Sequence, residues 1–419
     1  MNWQAKDHEL IWHPYQAHSA TPNNRVIVRG QGSLLYDLEG RSYIDAISSW
    51  WVNLHGHCHP ALSAAIARQS NELEQVIFAR HTHKPAVQLA ERLLGLFPYL
   101  GKIFYSDNGS TAVEVALKMC MQYHAHHGQE RKQFIVLSDS YHGDTFGAMS
   151  VSARSLFTHH FERHLFQVLH MPSLDDAAHL IEAFETACKR QDIAGFIYEP
   201  CIQGSAGMKM YAPELLEKLL QIAKSNGVLL IADEVMTGFG RTETLFVSEQ
   251  MPTKPDIVCL SKGLTGGYMP FGATLATNEM YAAFAVEDMT KTLFHGHSYT
   301  GNALACAVGL ASLDELQKPE CFEQRRMIAQ SHASFATILG ALPSVCNVRQ
   351  KGTVLAWDIH QEISGYSSPI RERIISFYAE AGILIRPLGN TVYLLPPYCI
   401  SAQELAQLYQ VTLEFLKTL

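Results

Sequence analysis

From about residue 60 onward the chain alternates between two hydrophobic rhythms. Apolar residues recur at helical spacing over 61–78, 86–97, 112–126, 177–190 and 214–225, which predicts amphipathic helices. Between them lie short, nearly unbroken apolar and β-branched runs at 103–106, 134–137, 193–198, 228–232, 257–260 and 272–276. Runs of this kind fit strands covered on both faces. The alternation predicts an α/β fold with a mainly parallel sheet wrapped by helices. Such sheets bind ligands at the carboxyl ends of their strands.

The two ends break the rhythm. Residues 25–47 read as short strands with Gly30, Gly32 and Gly40 as turns. Beyond about Leu310 come a long helix, strands near 354–357, 383–385 and 392–395, and a last helix from Ala402. These predict a smaller α+β domain assembled from both termini, 1–55 with 310–419, beside a large domain over 56–309. Composition agrees with a folded enzyme-sized chain: 419 residues, 47% apolar and 17% charged, exclude disorder as a description of the whole. A net charge of −8 offers no broad cationic field for nucleic acid. Any anionic ligand must therefore be held by local geometry. The nine cysteines form no closely spaced pair, so neither a disulfide framework nor a zinc ribbon is expected. Residues 1–15 mix charges with aromatics and lack the apolar core of a signal peptide. No apolar run approaches the ~18–20 residues of a membrane span, and the expectation is a soluble, cytoplasmic protein.

Two glycine-rich stretches fail as dinucleotide fingerprints. Gly30-Gln31-Gly32 has Leu35 where the third glycine belongs, and Thr237-Gly238-Phe239-Gly240 fails in the same way at Glu243. A nicotinamide oxidoreductase is disfavoured on that ground. The cluster His55-Gly56-His57-Cys58-His59 matches no zinc-ligand spacing, so a metal-binding protein is disfavoured too.

The strongest constellation sits at two strand ends. The run 228–232 releases Asp233-Glu234, and the run 257–260 releases Ser261-Lys262-Gly263. Either residue alone reads as an ordinary strand-end charge; together they put a carboxylate and an amine where α/β enzymes work. Burial on an apolar strand lowers a lysine's pKa towards a nucleophilic free amine. Such an amine forms Schiff bases, and pyridoxal phosphate (PLP) also needs an acidic partner for its ring nitrogen, which Asp233 could supply. The phosphate would want a helix N-terminus. Asp107-Asn108-Gly109-Ser110-Thr111 follows the strand 103–106 and opens the helix 112–126, with Gly109 for close backbone approach and Ser110 for a hydroxyl. The same residues also read as plain capping, with Thr111 and Glu114 as the capping box. Tyr141, after the strand 134–137, could stack on a flat ring, while alone it reads as core.

These motifs together resemble the class III (ornithine-type) aminotransferases of PLP fold type I, over nearly the whole chain. The resemblance rests on Ile231-Ala232-Asp233-Glu234-Val235, on Thr237-Gly238-Phe239-Gly240-Arg241-Thr242 and on Ser261-Lys262-Gly263. Glu199-Pro200, Gln203-Gly204 and the run from His295-Gly296 to Gly301-Asn302 extend it. Within the family the chain is most similar to the branch that acts on 8-amino-7-oxononanoate in biotin biosynthesis. Ile11 to Tyr15, Ser48-Ser49-Trp50-Trp51, Tyr141 to Ser150, Ile385-Arg386-Pro387 and Tyr393 to Tyr398 carry that similarity.

The resemblance implies a PLP-dependent transaminase in which Lys262 binds the cofactor covalently and shuttles a proton. It implies that Asp233 pairs with the ring nitrogen, Gly109 and Ser110 hold the phosphate, and Tyr141 stacks on the ring. Tyr15, Trp50 and Arg386 would line the substrate pocket, with Arg386 forked onto the acceptor's carboxylate. Trp51, Asp144, Glu199, Gln203, Arg241 and Tyr393 are further candidates. A homodimer is implied, in which Gly296, His297 and Ser298 reach the neighbouring subunit's phosphate and substrate. The member best known for adenosylmethionine use has Pro-Thr where this chain has His297-Ser298, a form similar to relatives that take lysine. S-adenosylmethionine and lysine therefore both stand as donors. Ornithine- or 4-aminobutyrate-type ω-aminotransferases are the next resemblance.

Overall fold

Three N-terminal strands, β1 (Ile27–Gln31), β2 (Leu34–Asp37) and β3 (Ser42–Asp45), form an antiparallel meander. Gly32 and Gly40 turn it at positive φ, where a Cβ would strain the backbone. Gly30 lies inside β1 and not at a turn. A Cβ there would stand 2.6 Å from the His57 Cβ, so close packing is what asks for glycine. The computed structural model describes residues 1–17, 24–361, 365–366 and 368–419.

The central sheet uses β4 (Lys102–Ser106), β5 (Gln133–Val136), β6 (Leu169–His170) and β7 (Ile193–Tyr198). A short hairpin, β8 (Ile202–Gln203) and β9 (Lys209–Met210), interrupts before β10 (Leu229–Asp233), β11 (Ile257–Leu260) and β12 (Gly272–Ala276) complete it. The order is β4-β12-β11-β10-β7-β5-β6. The five strands from β11 to β6 run parallel, and β12 is inserted antiparallel to both β11 and β4. The carboxyl ends of β4, β5, β7, β10 and β11 therefore share one edge.

Side chains along β10 alternate between two buried clusters. Leu230 and Ala232 join one, while Ile231 joins Ala112, Val113 and Ala116 of the helix Gly109–His126 in the other. Burial of each such Leu or Ile is worth about 1.5–3 kcal/mol, and a one-residue slip would send every member to the wrong face.

Towards the C-terminus, β13 (Val345–Lys351), β14 (Val354–Ile359), β15 (Ile383–Leu384) and β16 (Thr391–Leu394) divide between two sheets. β13, β14 and β16 form an antiparallel three-stranded sheet, and β15 pairs in parallel with β3, Leu384 opposite Asp45. Strands from both chain ends thus share one sheet.

Two helices depart from the periodicity. The helix predicted over 61–78 runs only Pro60–Ser70. Asn71 donates its side-chain amide to Ala67 and Gln69 donates to Leu73, taking carbonyls that continued helix would need. The long helix expected after Leu310 is present as Pro319–Gly340, and a separate helix not expected there, Ala303–Leu316, precedes it. Pro319 lacks an N–H and suits a first turn, so it ends one helix by starting the next. Among the described residues no helix is long and apolar enough to cross a membrane.

Candidate active site

A cavity of about 650 Å³ opens at the carboxyl edge of the central sheet, lined among others by Gly109, Ser110, Tyr141, His142, Asp144, Glu199, Asp233 and Lys262. Lys262 follows β11 after the single residue Ser261, stands at a φ of 42° and opens a short 3-10 turn over Lys262–Thr265. Its side chain reaches the cavity while protein packs around the amine, and that burial lowers its pKa against the opposing pull of Asp233 and Glu199. Asp233 ends β10, buried, with Oδ1 accepting from the Val235 N–H at 3.1 Å. Its Oδ2 lies 2.7 Å from His142 Nδ1, which fixes the proton on that ring nitrogen. His142 Nε2 is buried without a protein partner. Glu199, at the end of β7, accepts from the N–H groups of Tyr141 (3.0 Å) and Gly204 (2.9 Å). Burial, with Asp233 nearby, pushes its pKa up to about 7.

The floor of the cavity is the start of the helix Gly109–His126. Its N-cap is Asn108, whose side chain accepts from the Thr111 N–H while Thr111 Oγ1 accepts from the Asn108 N–H. Thr111 with Glu114, the expected box, does not form. Glu114 accepts instead from the Gly147 and Ala148 N–H groups and from Thr145, and so ties down the loop after Tyr141. The helix's own ladder begins with the Ala112 N–H, leaving those of Gly109 and Ser110 ahead of it. A Cβ on Gly109 would stand 2.7 Å from Val235 Cγ1, and one on Gly143 2.2 Å from Ser110 Oγ. Close packing of protein around the helix start is what asks for both glycines, and the free N–H groups there are of the kind that take an anion.

A second cavity of about 360 Å³ adjoins the first, sharing Trp51, Val52, Tyr141 and Lys262. Tyr15, Trp50, Phe157, Tyr366 and Arg386 form much of its wall, with Ser49 also in the lining. Tyr15 donates its hydroxyl to Asp144 and meets Trp50 and Phe157 edge to face, each at 5.5 Å between ring centres. Burial first, then Asp144, raises its pKa to about 12. Arg386 lies with its guanidinium carbon 4.1 Å from the Trp50 ring centre and its Nη2 3.5 Å from the Tyr366 hydroxyl. Among the described residues no carboxylate pairs with it.

Trp50 and Trp51 reach these places through an unusual backbone. Ser48, Ser49, Trp50 and Trp51 have φ of 50, 45, 71 and 74°, a left-handed turn that costs residues bearing a Cβ about 1–2 kcal/mol each. The bonds Trp51 N–H to Ile47 and Val52 N–H to Ser48, both 2.9 Å, close it. Trp51 is buried, donates Nε1 to the Tyr393 hydroxyl at 3.0 Å, and has the Lys262 amine 5.4 Å from its ring centre.

Other expected residues lie elsewhere. Tyr393 supports Trp51 from behind and lines neither cavity. Gln203 donates to the Ser138 carbonyl, with its Oε1 buried and unpaired. Arg241 is buried away from both cavities, donates to the carbonyls of Pro396 and Asn53, and stacks over Tyr398 at 4.9 Å. It is a tie between loops. Gly296, His297 and Ser298 line neither cavity of this chain. His55, His57 and His59 turn to Ser312, Asp45 and Glu315 respectively. His142 was passed over in the sequence, although it adjoins Tyr141. Phe157 and Tyr366 come from loops that carry no local signal.

A desolvated lysine, a buried carboxylate backed by histidine, and a glycine-lined helix N-terminus on one strand edge are what a PLP enzyme requires. The class-III aminotransferase profile matches residues 15–416. The chain belongs to that family, and its cofactor is PLP. An adenosylmethionine-8-amino-7-oxononanoate aminotransferase of Synechococcus elongatus is 43% identical, over 98% of this chain and 99% of its own. The crystal structure of the like-named enzyme from Methanocaldococcus jannaschii superposes with a TM-score of 0.92 at 36% identity, covering 99% of this chain and 98% of that one. A PLP-bound amine transaminase from an uncultivated Pseudomonas species gives 0.91 at 31% identity, covering 98% of each.

Proposed function

We propose that this chain transfers an amino group to 8-amino-7-oxononanoate, giving 7,8-diaminononanoate for biotin biosynthesis, with S-adenosylmethionine as the favoured donor. The observation that carries the reading is the aromatic cavity with Lys262 on its inner wall and an unpaired Arg386 in its lining. A long aliphatic acid would fork its carboxylate onto Arg386. Its methylenes would lie against Trp50 and Tyr15, each buried CH₂ worth about 0.8 kcal/mol. The names of the relatives support the same acceptor.

When bound, PLP supplies an aldehyde that takes amines covalently and a ring that withdraws electrons. Lys262 Nζ, its pKa lowered by burial, would be the amine that holds that aldehyde and the base that moves the proton at the substrate's nitrogen-bearing carbon. Asp233, oriented by His142, would hold a proton on the ring nitrogen. Gly109 and Ser110 would hold the phosphate, and Tyr141, its backbone fixed by Glu199, would cover the ring.

The same reading includes a cytoplasmic homodimer whose subunits lend each other Gly296, His297 and Ser298. Support comes from the exposure of Gly296 and Ser298 on this chain. It also keeps the division into 56–309 and a unit of 1–55 with 310–419.

Arg386→Ala should raise KM for 8-amino-7-oxononanoate roughly 30- to 1000-fold, the loss of about 2–4 kcal/mol from a forked charged contact. An unchanged KM would remove the acid-reading role. His297-Ser298 favours lysine as the second donor reading. Stopped-flow half-reactions, followed by cofactor absorbance, decide it: fast change with lysine and none with S-adenosylmethionine would reverse the assignment.

A further inference from the structure

The tetrapeptide Ser48-Ser49-Trp50-Trp51 has no glycine, yet all four residues stand at positive φ. Nothing in these residue types favours that conformation, so bonds from outside the turn must hold it. Most converge on one side chain. Asp45, fully buried at the end of β3, accepts from the N–H groups of Ile47 (3.2 Å) and Ser49 (2.9 Å) through Oδ1. Through Oδ2 it accepts from the Ser49 hydroxyl (2.8 Å) and from His57 Nε2 (3.0 Å). Asp45 lines neither cavity. A buried carboxylate is costly unless fully hydrogen-bonded, and two of these four bonds go to Ser49 inside the turn and a third to Ile47 just before it.

The turn in turn serves two cations. Trp50 lies against the guanidinium of Arg386 at 4.1 Å, and its chain neighbour Trp51 against the Lys262 amine at 5.4 Å. One backbone conformation therefore sets both the group that takes the amine and the group that reads the far end of the substrate. We propose that Asp45 is a positioning residue for transamination, acting through the left-handed turn that seats Trp50 on Arg386 and Trp51 on Lys262. The inference rests on the roles given above to Lys262 and Arg386.

The test is Asp45→Asn in the full-length protein, alone and combined with Ser49→Gly. The amide nitrogen cannot accept from the Ser49 hydroxyl or from His57 Nε2, so those two bonds must reverse or break and the turn loosens. Glycine adopts positive φ without strain, so Ser49→Gly should restore the turn where the carboxylate no longer holds it. For Asp45→Asn the expectation is a KM raised and a kcat lowered by roughly tenfold each, as for a displaced catalytic wall. The tryptophan near-UV circular dichroism of the cofactor-free protein should weaken as well. Adding Ser49→Gly should recover roughly threefold in kcat/KM. A residue that served stability alone would lower the melting temperature and leave KM and the tryptophan dichroism of the folded protein unchanged.

Wild-type kinetics and dichroism in Asp45→Asn, or a double variant worse than the single, would overturn the proposal. If Asp45→Asn does not fold, Ser49→Ala decides by the tryptophan dichroism of the cofactor-free protein, because Ser49 lines the second cavity and its KM can change for that reason alone. The dichroism must weaken as for Asp45→Asn, and an unchanged spectrum overturns the proposal. The dichroism does not depend on the acceptor's identity. A wild-type enzyme inactive on 8-amino-7-oxononanoate would therefore sink the substrate reading and leave this test standing.

Discussion

Lys262 pays for its chemistry in stability. Burial depresses its pKa below the usual 10.5, so between the two values the unfolded chain binds more protons than the folded one. Stability attributable to this group therefore rises with pH across that window. Below it, the folded chain must hold a charged amine in a desolvated place. Cofactor-free Lys262→Met should accordingly melt above the wild type at pH 7, with the gap closing as pH approaches 10.5. A variant that melts lower at pH 7 would show that the amine is comfortably charged where it sits. Lys262→Ala should abolish turnover and the borohydride-fixed link between protein and cofactor. At this scale the sequence was readable where one residue follows one strand, as with Lys262 after β11 and Asp233 at the end of β10. It was opaque for His142, whose meaning lies in a 2.7 Å contact to a residue 91 positions away. It was opaque as well for Trp51, whose neighbours are set by a handedness that no residue in the turn announces.

Among the elements, the helix Gly109–His126 shows how a cap can do two things at once. Asn108 satisfies the Thr111 N–H and so leaves only the preceding N–H groups facing the cavity. Asn108→Ala should cost about 1 kcal/mol of stability and, by letting the first turn fray, weaken cofactor retention. Chemical denaturation and cofactor release on dilution measure the two effects. A stability loss with unchanged retention would separate capping from the cradle. Strands fully covered by helices were legible almost to the residue: 193–198, 257–260 and 272–276 match β7, β11 and β12. Their direction was not, since nothing in an apolar run tells that β12 is antiparallel. The overlong helix at 61–78 has a similar cause. Val76, Ile77 and Phe78 continue the spacing, but Phe78 packs against His83 and Tyr105 outside any helix.

For the whole molecule, the proposed sharing of Ser298 between subunits has a direct check. Chains carrying Lys262→Ala and chains carrying a crippling Ser298 substitution, each inactive, should regain part of the activity when mixed and allowed to exchange. One site of each mixed pair would then have both residues. No recovery after demonstrated exchange would assign all site residues to a single chain. The sequence showed that both ends depart from the central rhythm, but not that β15 lies beside β3. That pairing depends on contacts across the length of the chain, which no local pattern records.

The Ser48 hydroxyl, next to the strained tryptophan turn, donates to the carbonyl of Leu395, 347 residues further on. A ribosome adding ~5–20 residues per second needs roughly 17–70 s to cover that distance. During that interval the strands bearing Asp233 and Lys262 have all emerged, while Trp50 and Trp51 still lack the segment that closes behind them. The strands that lead to Asp233 and Lys262 are thus complete before Leu395 is made, and the tryptophan turn is among the last parts of the cavity wall to be secured.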